Sequence, residues 1–434
     1  MHDILSKFLV YNSIARGTLL ERFAQTFLHW EEGSLTKEEL VAQIYKDVNH
    51  LLVFGVEYGF DENLWHCYLT YLLMTDENPY SLTCERMGDQ DSTINILIKR
   101  ECQAFYDLYH FDFTAIERSL NIDCFSIITD YQAMERRERR YNKEVSDKLR
   151  AVSRNLGKAK DANGIFDLVT SHYREYGVGL LGMNRAFRVV EQPDGSIAFR
   201  AIYNTEKTHL SDLVGYDLQK KQLRYNTDAF VEGRSANNVL LYGDSGTGKS
   251  TSVKALIHEY YDRGLRMIEV YKHQFQVLPQ VITAIKNRNY YFVIFIDDLS
   301  FEESEVEYKF LKAVIEGGVE TKPDNILLYA TSNRRHIVKE LWSDRKDMEH
   351  NGEIHRSDTV EEKISLSSRF GAQINYSSPN RNLFRVIVTE LAKRKNLDIS
   401  PEVLLEEANK WELRHGGVSG RTAQQFINYL AGKK

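Results

Sequence analysis

The sequence predicts an α/β protein: a parallel sheet with helices on both faces, preceded by a long all-helical stretch. Three observations carry that expectation. Residues 239–242, 266–271, 290–297, 326–331 and 373–376 are apolar runs of strand length. Segments of helical period separate them, near 217–231, 249–262, 278–286 and 305–317. Apolar strands that alternate with helices form parallel sheets buried on both sides, here of five strands.

A length of 434 residues leaves room for roughly three domains. Apolar residues make up 42% and aromatics 12%, enough for packed cores, which excludes a disordered chain. Six prolines and no Gly/Ser-rich tract argue against long flexible linkers. The net charge of −6 gives no global sign of nucleic-acid affinity. Cys67, Cys84, Cys102 and Cys124 form no C-x-x-C pair, so they read as buried thiols of a reducing compartment rather than zinc ligands. The N-terminus lacks the layout of an export signal. No apolar run approaches the ~18 residues of a membrane span. A soluble, cytoplasmic protein is expected.

Residues 1–180 read as a helical domain. Leu5, Phe8, Leu9, Leu19, Leu20, Phe23 and Phe27 recur at three- and four-residue steps. Thr36 and Glu39 form a capping box opening a helix through Leu52. Leu64–Met74 and Ile94–Tyr109 continue the pattern, with Asn78-Pro79 and Gly88 as breaks. His50, His66 and His110 are scattered and read as packed or surface residues. Ile127, Ile128, Tyr131 and Met134, then Tyr141, Val145, Leu149, Val152 and Leu156, form one apolar stripe that runs into the basic segment 136–160. That segment is either a solvated helix face with i, i+4 ion pairs or a contact for nucleic acid or an acidic partner.

Residues 181–212 read as a linker built on a β-hairpin, with Pro193-Asp194-Gly195 as its turn. The α/β domain follows over 213–379. At 243–250 stands Gly243-Asp244-Ser245-Gly246-Thr247-Gly248-Lys249-Ser250, between an apolar strand and a helix that continues with Thr251. The glycines permit backbone angles that side chains forbid, so consecutive N–H groups can face phosphate oxygens. The helix adds the positive end of its dipole. Lys249 then reaches the β- and γ-phosphates of a nucleotide, and Ser250 ligates Mg²⁺. Upstream, Val214 and Tyr216 are candidates to flank the base, or ordinary packing residues.

Asp297 sits where an apolar strand runs out, placed to hold Mg²⁺ beside the phosphate loop. Asp298 follows as a candidate general base for water. Asn333 ends the next strand and is expected between the Lys249 and Asp297 strands, near the γ-phosphate. Arg369 precedes the last strand and is expected to point away from its own site towards a neighbour's nucleotide. Arg421 opens the final helix and is expected over the phosphates; the alternative for either arginine is a surface salt bridge.

Lys249, Asp297, Asn333, Arg369 and Arg421, in this order, resemble the set found in AAA+ ATPases. The resemblance implies Walker A, Walker B, sensor-1, arginine-finger and sensor-2 roles for them, ATP and Mg²⁺ as ligands, a homo-oligomer with Arg369 acting in trans, and a helical lid over 380–434. The stretches GDSGTGKS, FIDDLSFEE, YATSNRRHI, SLSSRFG and SGRTAQQFI are similar to one bacterial family of AAA+ ATPases with a conserved domain of unknown function. Helicase loaders and replication initiators are more distantly similar. One departure stands out. AAA+ proteins mostly carry Asp-Glu where this chain has Asp297-Asp298, and Glu302 is then a candidate substitute. Two functions are therefore expected in competition: an ATP hydrolase driving conformational change on a protein or DNA client, or an ATP-gated binding protein with little turnover. Residues 343–363 are expected as a surface loop. Tyr271-Lys272-His273-Gln274-Phe275, after the second strand, stands where translocating AAA+ rings place a pore loop, but a packed aromatic pair is the preferred reading.

Overall fold

The computed structural model describes residues 1–433 apart from 89–91, 134–140, 206, 302–304, 306, 317–322 and 334–365. The chain divides into two units, Met1–Asn184 and Arg185–Lys434.

All described elements of Met1–Asn184 are helices. The capping box is present: Thr36 accepts from the Glu39 N–H, and Glu39 reaches back to the Thr36 N–H at 2.9 Å. Its helix, Lys37–Tyr58, runs past Leu52 and stops where Gly59 turns left-handed at φ 71°. The core centres on aromatic contacts: Trp65 meets Phe23 and Phe113 edge-on at 5.8 and 5.3 Å, and Phe113 stacks on Phe125 at 4.5 Å. Ile127 departs from the expected stripe. It is 56% exposed, while Ile128, Val145, Leu149 and Leu156 are buried. The stripe spans two separate helices, Cys124–Thr129 and Lys143–Leu156, so one helical period does not fix the face of both. Each of the three scattered histidines hydrogen-bonds a main-chain carbonyl, His50 that of Lys46, His66 that of Tyr109 and His110 that of Tyr106. Cys67, Cys84 and Cys102 are buried, Cys124 half-buried, and all four are free thiols.

Arg185–Lys434 is built on one sheet, seven-stranded among the described residues. Its strands are β1 (Ala186–Glu191), β2 (Ile197–Ala201), β3 (Val239–Gly243), β4 (Leu265–Glu269), β5 (Tyr291–Ile296), β6 (Ile326–Ser332) and β7 (Ala372–Tyr376). The order is β2-β1-β4-β5-β6-β3-β7. Five strands were expected, and β3 to β7 are those five, all parallel. The other two are the hairpin. It extends the sheet, because β1 pairs in parallel with β4 through Ala186↔Met267, Phe187↔Ile268 and Arg188↔Glu269. Ala186, Phe187 and Val189 are buried there, and Arg188 meets Glu269 across the pairing at 2.8 Å.

Side chains alternate along the central strands. Val239 and Leu241, Val293 and Phe295, and Leu327 and Tyr329 form one core with Leu256 and Phe230 of the helices Lys249–Tyr260 and Asp217–Val231. Leu240, Ile294 and Leu328 are buried on the opposite face. Each such side chain contributes about 1.5–3 kcal/mol by leaving water. Tyr329 carries a hydroxyl into this core and satisfies it with Asn226 and Thr227 at 3.0 and 2.9 Å. A three-helix lid follows: Arg381–Arg394, Pro401–Arg414 and Gly420–Gly432, capped by Asn380, Ser400 and Ser419. Among the described residues no helix is long and apolar enough to cross a membrane.

Candidate functional site

The strands β3, β5 and β6 all end at the same edge of the sheet, where parallel α/β sheets place their ligands. A cavity of about 620 Å³ opens there, lined by residues 245–251, Asp297, Asp298, Thr331 and Asn333, and closed above by the lid.

The glycine-rich turn is forced by its surroundings. Gly243 has φ 132°, and a Cβ on it would sit 2.2 Å from the Tyr376 carbonyl oxygen. Gly246 has φ 75°, and its Cβ would meet Arg421 Cβ at 3.0 Å. Gly248, at φ 94°, hands the chain to the helix Lys249–Tyr260. Among the described residues, no protein acceptor takes the main-chain N–H groups of residues 245–248. Lys249 is buried, and its ammonium donates to the carbonyls of Gly243 and Asp244 at 2.8 and 2.6 Å and to Asn333 Oδ1 at 3.0 Å. Burial pulls its pKa below the ordinary lysine value, and nearby Asp244, Asp298 and Asp297 oppose that shift. The Ser378 N–H, at 2.7 Å, holds the Asp244 carboxyl below the usual range.

The acids form a network with the strand ends. Asp297 Oδ1 accepts from Ser250 Oγ at 2.5 Å and from Thr331 Oγ1 at 2.6 Å. Lys254 lies 3.6 Å from its other oxygen. Asp298 Oδ1 accepts from Asn333 Nδ2 at 2.8 Å. Asp298 has φ 53°, a left-handed backbone that costs a non-glycine residue about 1–3 kcal/mol. Because the Ser250 proton is spent on Asp297, the lone pairs of the serine oxygen stay available. A hydroxyl oxygen beside a carboxylate is a donor set for a hard divalent cation, so the residues fit Mg²⁺.

Val214 and Tyr216 also line the cavity. Val214 packs on the lid core, while Tyr216 stacks on Tyr376 at 5.2 Å and donates to the Ser377 carbonyl at 3.0 Å. Burial pushes the Tyr216 hydroxyl up to about 12. Arg421 lines the cavity, and its main-chain N–H donates to the Gly246 carbonyl at 3.1 Å, fastening the lid to the phosphate loop. Gly243 and Asp244 shape the loop without lining the cavity. Arg369 does not line it either and is ion-paired with Glu316. Glu302 and the loop 343–363 lie outside the described residues. Tyr271 donates to Glu269, and Lys272 pairs with Glu305 over the Phe301 ring.

The sequence reading missed Thr331, although it stands two residues before Asn333, on the same side of a strand. It also missed Ile387 and Leu391, lid residues one helical turn apart that line the cavity.

A glycine cradle at the end of β3, paired acids two strands away beyond β5, a polar end of β6 between them and helices above form a P-loop-type anion site on a parallel α/β sheet. The chain belongs to the family described as "Protein of unknown function (DUF815)", which matches residues 183–434. No curated protein matches it. Among solved structures it is similar to the Thermotoga maritima RuvB Holliday junction branch migration motor, at 17% identity over 52% of this chain and 64% of that chain, with a TM-score of 0.34. It is also similar to the FIGL-1 AAA domain in complex with ADP, at 20% identity over 53% and 74% of the two chains, with a TM-score of 0.36. The chain thus spans less than two thirds of the RuvB length.

Proposed function

We propose that this chain binds and hydrolyses Mg-ATP and, as an oligomer, passes the resulting conformational change to a macromolecular client. The observation that carries the proposal is the network Lys249–Asn333–Asp298 and Ser250–Asp297, set at the rim of one cavity. The unpaired N–H groups of 245–248 and the Lys249 ammonium receive the phosphates. Ser250 and Asp297 would hold Mg²⁺, which supplies neutralising charge to the phosphate oxygens. Asn333 and Asp298 orient the attacking water, and Asp298 takes its proton. Val214, Tyr216, Ile387 and Leu391 enclose the base. Arg369, from a neighbouring copy, exchanges Glu316 for the substrate's γ-phosphate.

The Lys249→Ala change tests the core of this reading by steady-state phosphate release, where a rate equal to wild type overturns it. Arg369→Ala tests the oligomer: it is expected to bind ATP as wild type does and to lose hydrolysis, and normal hydrolysis removes the trans role.

A second reading has its own support. The Asp298 carboxylate is one methylene shorter than a glutamate and is already held by Asn333. A chain that binds ATP, closes its lid through Arg421 and turns over slowly accounts for both facts. Turnover of roughly 1 per second or more by the isolated protein counts against it. For a DNA client the described basic helix gives little support. Arg154 pairs with Glu62, Arg150 with Asp61 and Asp147, and Lys148 lies over the Tyr176 ring. Arg136, Arg137, Arg139 and Arg140 lie outside the described residues. Single-stranded DNA binding that weakens with salt and is lost on neutralising those four arginines identifies a DNA client. Salt-independent or unchanged binding points to a protein.

A further inference from the structure

Thr331 is nearly inaccessible, 2% exposed, yet its hydroxyl makes two bonds that meet both acids. It donates to Asp297 Oδ1 at 2.6 Å, so its lone pair is free to accept the Asp298 main-chain N–H, at 2.9 Å. The next N–H, of Leu299, donates to the Thr331 carbonyl at 2.7 Å. Strand register makes this possible. The last paired rung of β5 and β6 is Ile296↔Ala330, so Thr331 faces Asp297 one step beyond the sheet. Two residues on, from the same side of the strand, Asn333 holds the Asp298 carboxylate at 2.8 Å. Asp298 is thereby gripped twice, by main chain and by side chain, in a left-handed conformation that aspartate rarely adopts.

We infer that Thr331 is the positioning residue of this site: its hydroxyl fixes the Asp297 carboxylate and the Asp298 backbone together, and so sets both the metal-holding oxygen and the water-orienting carboxylate. This rests on the Mg-ATP reading above for its catalytic consequence, but not for its structural one. Valine has the same shape and no hydroxyl. Thr331→Val therefore leaves the Asp298 N–H without its side-chain acceptor and removes one donor from Asp297. Serine keeps both bonds.

The test compares Thr331→Val and Thr331→Ser with wild type in three measurements. In crystals of the nucleotide-free Val variant, Asp298 is expected to leave its left-handed conformation. In titrations of MgATP, the Val variant is expected to need about tenfold more Mg²⁺ for half-saturation and to lose about tenfold or more in kcat, the usual scale for a residue behind a metal ligand. ATP binding without metal, which uses the phosphate loop and Lys249, is expected to change less than about twofold. The Ser variant restores all three. An unmoved Asp298 in the Val crystal, or equal Mg²⁺ dependence and kcat in Val and wild type, overturns the inference. So does a Ser variant as impaired as Val, which makes the role one of packing by the threonine methyl. A wild type that binds MgATP without hydrolysing it defeats the ATPase reading alone, since the crystal and the Mg²⁺ titration still judge Thr331.

Discussion

The two units of this chain both gather main-chain N–H groups around an anion position, and they differ in where the anion comes from. In Met1–Asn184, Leu9 and Val10 donate to Glu101 Oε1 at 3.1 and 2.9 Å, and Tyr11 donates to Oε2 at 3.0 Å. Glu101 is 2% exposed. Glu117 takes the Ser126 N–H, and Glu85 the Val178 N–H, in the same way. In Arg185–Lys434, the amides of 245–248 donate to no acceptor among the described residues, and the Lys249 cation lines the same cavity. A concavity of donors filled by its own glutamate is a structural cap. One that adds a lysine and leaves its donors unspent is a receptor for an anion from outside. Fold class does not separate these cases, but the accounting of buried donors does.

The strongest way to break the comparison is to remove the cation from one side. Lys249→Ala is expected to lower ATP hydrolysis by about 10²–10³-fold, the scale for a buried donor aimed at developing charge. Nucleotide protection against thermal unfolding should vanish with it, and a retained shift shows that the amides alone suffice. On the other side, Glu101→Ala strips the acceptor from three N–H groups, those of exposed Leu9, half-buried Val10 and buried Tyr11. It is expected to cost about 3 kcal/mol in chemical denaturation while leaving the affinity for MgADP unchanged. An Glu101→Ala protein of wild-type stability means the cap is ornamental. The Gly246→Ala change sharpens the receptor side. Its Cβ meets both a positive φ and the lid at Arg421 Cβ, so MgADP affinity is expected to fall about tenfold, without the global loss seen for Glu101→Ala. Isothermal calorimetry on the folded variant decides it.

How much of this was legible in the sequence depends on how far apart the partners lie. The phosphate loop is a run of eight neighbours, so Gly243–Ser250 and the helix after it could be read directly. Asp297, Asp298 and Asn333 were legible because each ends an apolar strand. The inclusion of the hairpin in the sheet was not. Nothing local to Ala186–Glu191 says that its partner is β4, some eighty residues on, and the rungs Ala186↔Met267, Phe187↔Ile268 and Arg188↔Glu269 appear only in the fold. Thr331 was hidden for a related reason: its two bonds cross from β6 to the end of β5, and within its own strand it is one more buried residue. The Glu101 cap likewise joins residues about ninety apart. Arg369 is a different case, since sequence order placed it before β7 but not against Glu316.

The smallest expected effect is a titration. In the nucleotide-free chain Lys249 is held below the ordinary lysine value of 10.5 by burial, against the opposing pull of Asp244, Asp298 and Asp297. The unfolded chain therefore binds the proton more tightly than the folded one. Between the two pKa values the unfolded state carries more protons, so this residue's burden on stability is relieved as pH rises towards 10.5. Ligand affinity runs the other way. The neutral amine gives phosphate no charge, so MgADP affinity is expected to fall as pH rises along a limb centred below 10.5, at a limiting slope of about tenfold per pH unit. The Tyr216 hydroxyl, at about 12, stays protonated through that range and does not supply the limb. Lys249→Arg separates the causes, because a guanidinium keeps its charge throughout. Calorimetric titration of both proteins over the alkaline range should show the limb in wild type and a flat profile, from a lower starting affinity, in the arginine variant. The same limb in both assigns the loss to another group and leaves the unspent amides, rather than the lysine, as what distinguishes the two concavities.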